Sequence, residues 1–248
     1  MGLTEKEIEY MREAGRLAGN ALRYAKSVIK PGISTQELDN LLHNYIIENK
    51  GISAFYHYEG FPGSTCISVN DVVVHGIPSN KIILKEGDIV SVDLGVKYKG
   101  YYSDCARTFP VGKISPEVEK LIKVTEECFY KGIEQLQVGA PLQNCSVAIQ
   151  KHAEKNGFSV VRELVGHGIG KELHMDPQIP NYKTGHNTYI LEENTCLAIE
   201  PMINMGKKEI YLHNDDWTIS TRDGKPSAHY ENTVLLTKNG VEILTNDI

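Results

Sequence analysis

Tryptophan occurs once in the 248 residues, and no run of apolar residues approaches the ~18 that a membrane-spanning helix needs. The five cysteines, Cys66, Cys105, Cys128, Cys145 and Cys196, are odd in number, widely spaced and without a C-x-x-C pair. That excludes a disulfide framework and a zinc ribbon, and it implies reduced thiols and a cytoplasmic setting. Positive charge is also short. Lys and Arg total 26 against 32 Asp and Glu, a net charge of −6, so nucleic acid is not the expected main partner. The first residues are charged at once (Glu5, Lys6, Glu7), which is unlike a secretory leader. Gly2 is followed by Lys6 where a myristoylation motif needs Ser or Thr. No low-complexity stretch or linker interrupts the chain. What remains, 41% apolar and 23% charged, is ordinary globular usage, long enough to bury roughly 70–75% of its unfolded surface.

The hydrophobic period is helical at first. Thr4 and Glu7 form a capping box, after which Ile8, Met11, Gly15, Ala18, Leu22, Ala25 and Ile29 recur every three or four residues until Pro31-Gly32. Ser34 and Glu37 open a second helix through Leu38, Leu41, Leu42, Tyr45 and Ile46, ended by Asn49-Lys50-Gly51. From about 52 to 112 the pattern predicts strands, notably 66–69, 72–74, 88–95 and 101–109. Ser115-Pro116 starts a third helix, Gly139-Ala140-Pro141 breaks it, and a fourth runs to Asn156-Gly157 before strands resume. The order helix, helix, strands therefore occurs twice. Details repeat with it: Leu84 to Asp93 parallels Leu191 to Glu200, His75-Gly76-Ile77 parallels His167-Gly168-Ile169, and Tyr102-Ser103-Asp104 parallels His229-Tyr230-Glu231. One α+β domain built of two similar halves, about 1–112 and 113–248, is expected.

The repeat carries acids. Asp93 and Glu200 each end a strand that reads as buried, and Asp104 and Glu231 follow on later strands. An isolated carboxylate in such a place is costly unless it is paired or bound to a metal. A hairpin turning at Tyr98-Lys99 would set Asp93 directly opposite Asp104. Two like charges there repel unless something positive lies between them. Four carboxylates from two matched halves, with at least one histidine, make a site for a pair of divalent cations that activates water for hydrolysis. Imidazole beside oxygen favours Mn²⁺, Fe²⁺, Co²⁺ or Zn²⁺ over Ca²⁺. The candidate histidines are His75, His167 and His174, the latter two flanking Gly166-His167-Gly168-Ile169-Gly170, whose glycines let backbone approach a ligand. That segment lacks the Lys-Ser/Thr of a phosphate loop. His43, His57, His152, His186, His213 and His229 have no comparable context and read as structural.

These residues match a family. The blocks Cys66 to Pro78, Ser91 to Gly95, Tyr102 to Thr108, Gly166 to His174, Ile199 to Met202 and Glu231 to Thr233 together resemble type I methionine aminopeptidases of the short bacterial kind, over essentially the whole chain. The resemblance implies the duplicated "pita-bread" fold, a central antiparallel sheet with helices on its outer face. It implies removal of N-terminal methionine from peptides and nascent chains with a small second residue, and two divalent ions (Co, Mn, Fe or Zn) held by Asp93, Asp104, His167, Glu200 and Glu231. It implies that Glu200 accepts the attacking water's proton and returns it to the leaving amine, that His174 stabilises the oxyanion, and that His75 holds the scissile amide nitrogen. It further implies a methionine pocket lined by Tyr58, Phe61, Cys66, His75 and Trp217, and a monovalent cation at Asn70, Val72 and Ser227. Leu173 departs from the pattern, since many members have an aromatic there. Neither the insertion of type II enzymes nor an N-terminal extension is expected. A cytoplasmic monomer in transient contact with the ribosome is then expected; Lys81, Lys85, Lys97, Lys99 and Lys113 could form a local basic face, although such lysines are more often a solvated surface. The alternatives are a proline-directed dipeptidase or aminopeptidase P, a non-catalytic binding module, and an amidinohydrolase that dispenses with the metals.

Overall fold

The computed structural model describes residues 2–185 and 188–246. The first half holds helices α1 (Glu5–Val28) and α2 (Thr35–Glu48), then strands β1 (Ile52–Ser53), β2 (Cys66–Val69), β3 (Val72–Val74), β4 (Ile89–Tyr98) and β5 (Tyr101–Pro110). Helices α3 (Pro116–Ile133) and α4 (Gln143–Lys155) follow, with β6 (Ser159–Val160), β7 (Gly166–Gly168), β8 (Met175–Ile179) and β9 (Thr195–Ile199). The remainder is β10 (Met202–Asn204), β11 (Ile210–Leu212), β12 (Ile219–Thr221), β13 (Ser227–His229), β14 (Glu231–Thr237) and β15 (Gly240–Ile243). Helices α1, α2 and α3 begin where capping chemistry places them. The Thr4 side chain accepts the Glu7 N–H while Glu7 answers the Thr4 N–H, and Ser34 and Ser115 cap the second and third helices.

The main sheet is antiparallel throughout, in the order β1-β4-β5-β14-β9-β7-β8, with β2 also on β4 and β15 also on β14. Alternation along the strands divides its faces. Val90, Val92, Leu94 and Val96 of β4 point to one side and pack with Leu22, Leu38 and Leu42 of α1 and α2. Leu197, Ile199, Val234 and Leu236 meet Leu121, Phe129 and Ile149 of α3 and α4 on the same side. All helices thus cover one face, and the residues between those apolar positions face the other. Phe129 is fully buried in this packing. Phe129→Ala is expected to cost about 3–5 kcal/mol, read as a lower midpoint in urea unfolding, because the cavity left cannot collapse.

The central hairpin corrects one expectation. Its turn lies at Lys99-Gly100, both with positive φ (48° and 89°), and not at Tyr98-Lys99. That two-residue loop pairs Tyr98 with Tyr101, so Asp93 sits across from Ala106 and Asp104 across from Gly95. The two aspartates are diagonal neighbours on one face rather than a directly opposed pair.

Candidate functional site

The register places the acids in rows on the uncovered face. Asp93 pairs with Ala106, and Ala106 pairs with Glu231. Asn232 pairs with Ile199, and continuing that register by one residue sets Glu231 beside Glu200 at the end of β9. Cys66 joins the same row from β2. Two residues along, Asp104 pairs with Gly95 and is tied to Thr233, whose hydroxyl donates to the Asp104 carbonyl (2.8 Å) and accepts its N–H (2.9 Å). Thr233 pairs with Ala198, and Ala198 with His167. Five neighbouring strands therefore deliver Asp93, Asp104, Glu231, Glu200 and His167 to one place. The positions between them are small, Gly95, Ala106 and Ala198, which leaves room above the sheet. At Gly95 a Cβ would stand 2.9 Å from both Ala54 and Phe55.

The glycines around His167 also serve the packing of the sheet. A Cβ at Gly166 would lie 2.4 Å from the Ala198 carbonyl oxygen, and one at Gly168 would lie 2.2 Å from that of Asp176. They allow strands to close on one another, which positions His167, and Gly166 also lines the cleft described below. The Nδ1–H of His167 donates to the Gly168 carbonyl at 2.9 Å, so Nε2 keeps its lone pair toward the acids. It lies 3.6 Å from Glu200 Oε1 and 3.8 Å from Asp104 Oδ2.

Burial dominates the electrostatics. Asp104 and Glu231 are only 3% and 1% exposed. Desolvation, followed by the charges of their acidic neighbours, pushes both carboxyls well above the usual range. Desolvation raises Asp93 to about 7 and Glu200 to about 8. The same cause lowers His75 and His167 to about 4, so both rings are neutral at pH 7. Asp93 Oδ1, Asp104 Oδ1 and Glu231 Oε1 are buried without a hydrogen-bond partner among the described residues. Hard oxygens crowded together, several of them orphaned, beside neutral imidazole nitrogen are the donor set that divalent transition metals take. One ligand atom each from Asp93, His229 and Glu231 lie within 4.8 Å of one another, as do those of His167, Glu200 and Glu231, and of Asp104, His167 and His174.

A cleft of ≈ 860 Å³ opens over this cluster. It is lined by Tyr58, Phe61, Cys66, His75, His174 and Trp217, together with the acids. Phe61 meets Trp217 edge-on at 5.1 Å, and the His75 ring stands 6.3 Å from the indole. His75 has positive φ (59°), a conformation held by its neighbours that turns the chain at the cleft wall. The Tyr58 hydroxyl and His174 Nδ1 share a 2.9 Å hydrogen bond that fixes the His174 ring, 4.4 Å from that of His167. Leu173 is buried against the same wall. Asn70 and Ser227 meet through the Asn70 carbonyl, which accepts the Ser227 N–H, while Val72 pairs with Ser220. All five cysteines are buried as free thiols.

Of the histidines read as structural, His229 is misplaced in that group. It lies on the same face two residues before Glu231, with Nε2 3.5 Å from Glu200 Oε2 and 3.7 Å from Glu231 Oε2. The signal was available, since residues i and i+2 of extended chain share a face. His43 bonds Ser64, His152 bonds Glu127 and His213 bonds Ser220, all outside the cleft, and His186 lies outside the described residues.

A family model described as metallopeptidase family M24 matches residues 9–238. A protein of Clostridium acetobutylicum named methionine aminopeptidase is 48% identical over 241 residues, covering 97% of this chain and 96% of its own. The Bacillus subtilis protein named methionine aminopeptidase 1 is 48% identical over 98% of this chain and 97% of its own. A crystal structure of methionine aminopeptidase from Rickettsia prowazekii superposes with a TM-score of 0.96 at 43% identity, covering 99% of each chain.

Proposed function

The chain belongs to metallopeptidase family M24, and from that we infer how it works as a metal-dependent methionine aminopeptidase of the pita-bread fold, a hydrolase that removes N-terminal methionine. The observation that carries the site assignment is the convergence of four buried carboxylates and His167, several oxygens lacking any partner, at the floor of a cleft with an apolar wall. Asp93, Asp104, His167, Glu200 and Glu231 hold two divalent ions drawn from Co, Mn, Fe or Zn. When bound, such ions act as Lewis acids on the scissile carbonyl and make water acidic enough to attack at neutral pH.

The protein's own groups do the rest. Glu200 takes the proton from the attacking water and delivers it to the leaving amine. His174, oriented by Tyr58, stabilises the oxyanion, and His75 holds the scissile amide nitrogen. Tyr58, Phe61, Cys66, His75 and Trp217 receive the methionine side chain. A narrow site beside the methionine pocket would admit only small second residues. A weak monovalent cation site lies at Asn70, Val72 and Ser227. The two halves, about 1–112 and 113–248, form one catalytic domain. We place the chain in the cytoplasm as a monomer that touches ribosomes transiently through Lys81, Lys85, Lys97, Lys99 and Lys113. No helix among the described residues is long and apolar enough to cross a membrane.

Substrate choice tests this reading. Met-Ala-containing peptides are expected to lose methionine, while Ala-Pro peptides remain intact at the same enzyme concentration. Preferential cleavage of Ala-Pro would assign the chain to proline-directed chemistry instead.

A further inference from the structure

We propose that His229 is a sixth protein ligand of the metal pair, supplying a second imidazole to the ion held at the Asp93–Glu231 side of the cluster. This rests on the reading of the cluster as a metal site and extends it to a residue outside the five ligands already assigned.

Sheet register supplies the first argument. Ser91 pairs with Thr108, and the Thr108 hydroxyl both donates to the His229 carbonyl and accepts its N–H, each at 2.9 Å. Met202 pairs with His229 on the other side. His229 thus stands in the row adjacent to that of Asp93, Glu231 and Glu200. His167 and Asp104 occupy the row on the opposite side. The carboxylates are flanked by two imidazoles, one in each neighbouring row, and Glu200 faces both: Oε1 toward His167 and Oε2 toward His229.

Distance supplies the second. The His229 Nε2 separations from Glu200 and Glu231, 3.5 and 3.7 Å, are too long for hydrogen bonds. Two ligand atoms about 2.1 Å from one ion at a tetrahedral angle lie about 3.4 Å apart. The His167 separations, 3.6 and 3.8 Å, have the same character. Burial supplies the third. His229 is 1% exposed, and neither ring nitrogen has a hydrogen-bond partner among the described residues. An imidazole so placed costs free energy unless something takes its lone pair. Its backbone is pinned by Thr108, which fixes the point from which the side chain reaches the acids.

The test compares the full-length protein with His229→Gln and His229→Ala, all stripped by chelation. Calorimetric titration with Co²⁺ is expected to show two equivalents bound by the parent protein, with one of them weakened about tenfold or more in both variants. Proton NMR of the Co²⁺-loaded parent protein gives a readout that needs no variant to fold. Co²⁺-bound rings of His167 and His229 each contribute a strongly shifted exchangeable N–H signal, and His229→Gln removes one of them. Unchanged binding of both equivalents, with no shifted signal lost, would overturn the assignment of His229 and leave the metal pair standing. Failure of the parent protein to bind Co²⁺ at all would overturn both.

Discussion

Asp104→Asn or Glu231→Gln is expected to lower the rate of methionine release from Met-Gly-Met-Met by about 10³-fold, the loss of some 4 kcal/mol of transition-state stabilisation. Each substitution keeps the shape of the side chain and removes its charge. The change strikes where compensation is hardest. Asp104 is fixed by its own backbone bonds to Thr233, and Glu231 lies in register with both Ala106 and Glu200, so neither can be replaced by a shift of a neighbour. Because both carboxyls are buried and raised, the amide variants are expected to fold at least as well as the metal-free parent. Full activity with either variant, measured at saturating divalent ion, would remove these residues from the site.

The chelated protein is expected to lose stability as pH rises from 7 to 8, by a drop in Tm of several degrees, and to regain it on addition of Mn²⁺ or Co²⁺. In the metal-free fold, Asp93 and Glu200 hold their protons to about 7 and about 8, and burial raises Asp104 and Glu231 well above the usual carboxylate range. In the unfolded chain such groups release them near 4. The folded state therefore binds more protons than the unfolded state across this window, and stability falls with pH. Below about 6.5 the trend is opposed, because His75 and His167, lowered to about 4, must stay neutral in a fold whose unfolded chain would protonate them. Between pH 7 and 8 those rings are neutral in both states, so the carboxyls set the slope. A penalty of about 2 kcal/mol corresponds to roughly 4–8 °C in a chain of this size. Metal binding displaces the protons and strengthens with pH, so the loaded protein is expected to lose the downward slope. Differential scanning fluorimetry with and without metal reads both effects; a flat profile for the chelated protein would contradict the crowding of buried acids.

The helices were legible because local chemistry dictates them. Thr4 with Glu7, Ser34 with Glu37 and Ser115-Pro116 mark starts through side-chain contacts within one turn. The four acids that the sequence singles out also lie together in the folded chain, since strands flanked by apolar residues force any acid among them into a buried place, whereas the residues alone left His75, His167 and His174 open and only the resemblance chose His167. Register was harder. It depends on which residues accept positive φ, and Lys99-Gly100 takes the turn where Tyr98-Lys99 was expected, moving Asp93 from direct to diagonal opposition with Asp104. His229 was missed because its strand, Ser227–His229, is too short to show alternation by itself. Its meaning comes from Glu231 two positions on and from Thr108 on another strand. The glycines beside His167 illustrate the same limit: composition announced a close approach, and only the tertiary structure revealed that the approaching partners are the Ala198 and Asp176 carbonyls.

Activity during stepwise reloading tests the account most directly. The protein is stripped with chelator, its metal content measured by mass spectrometry, and methionine release from Met-Gly-Met-Met followed as Fe²⁺, Mn²⁺, Co²⁺ or Zn²⁺ is returned in separate series. Activity is expected to vanish on stripping and to recover with at least one of these ions, saturating by two per chain. Undiminished methionine release from protein shown to hold essentially no divalent ion would contradict it.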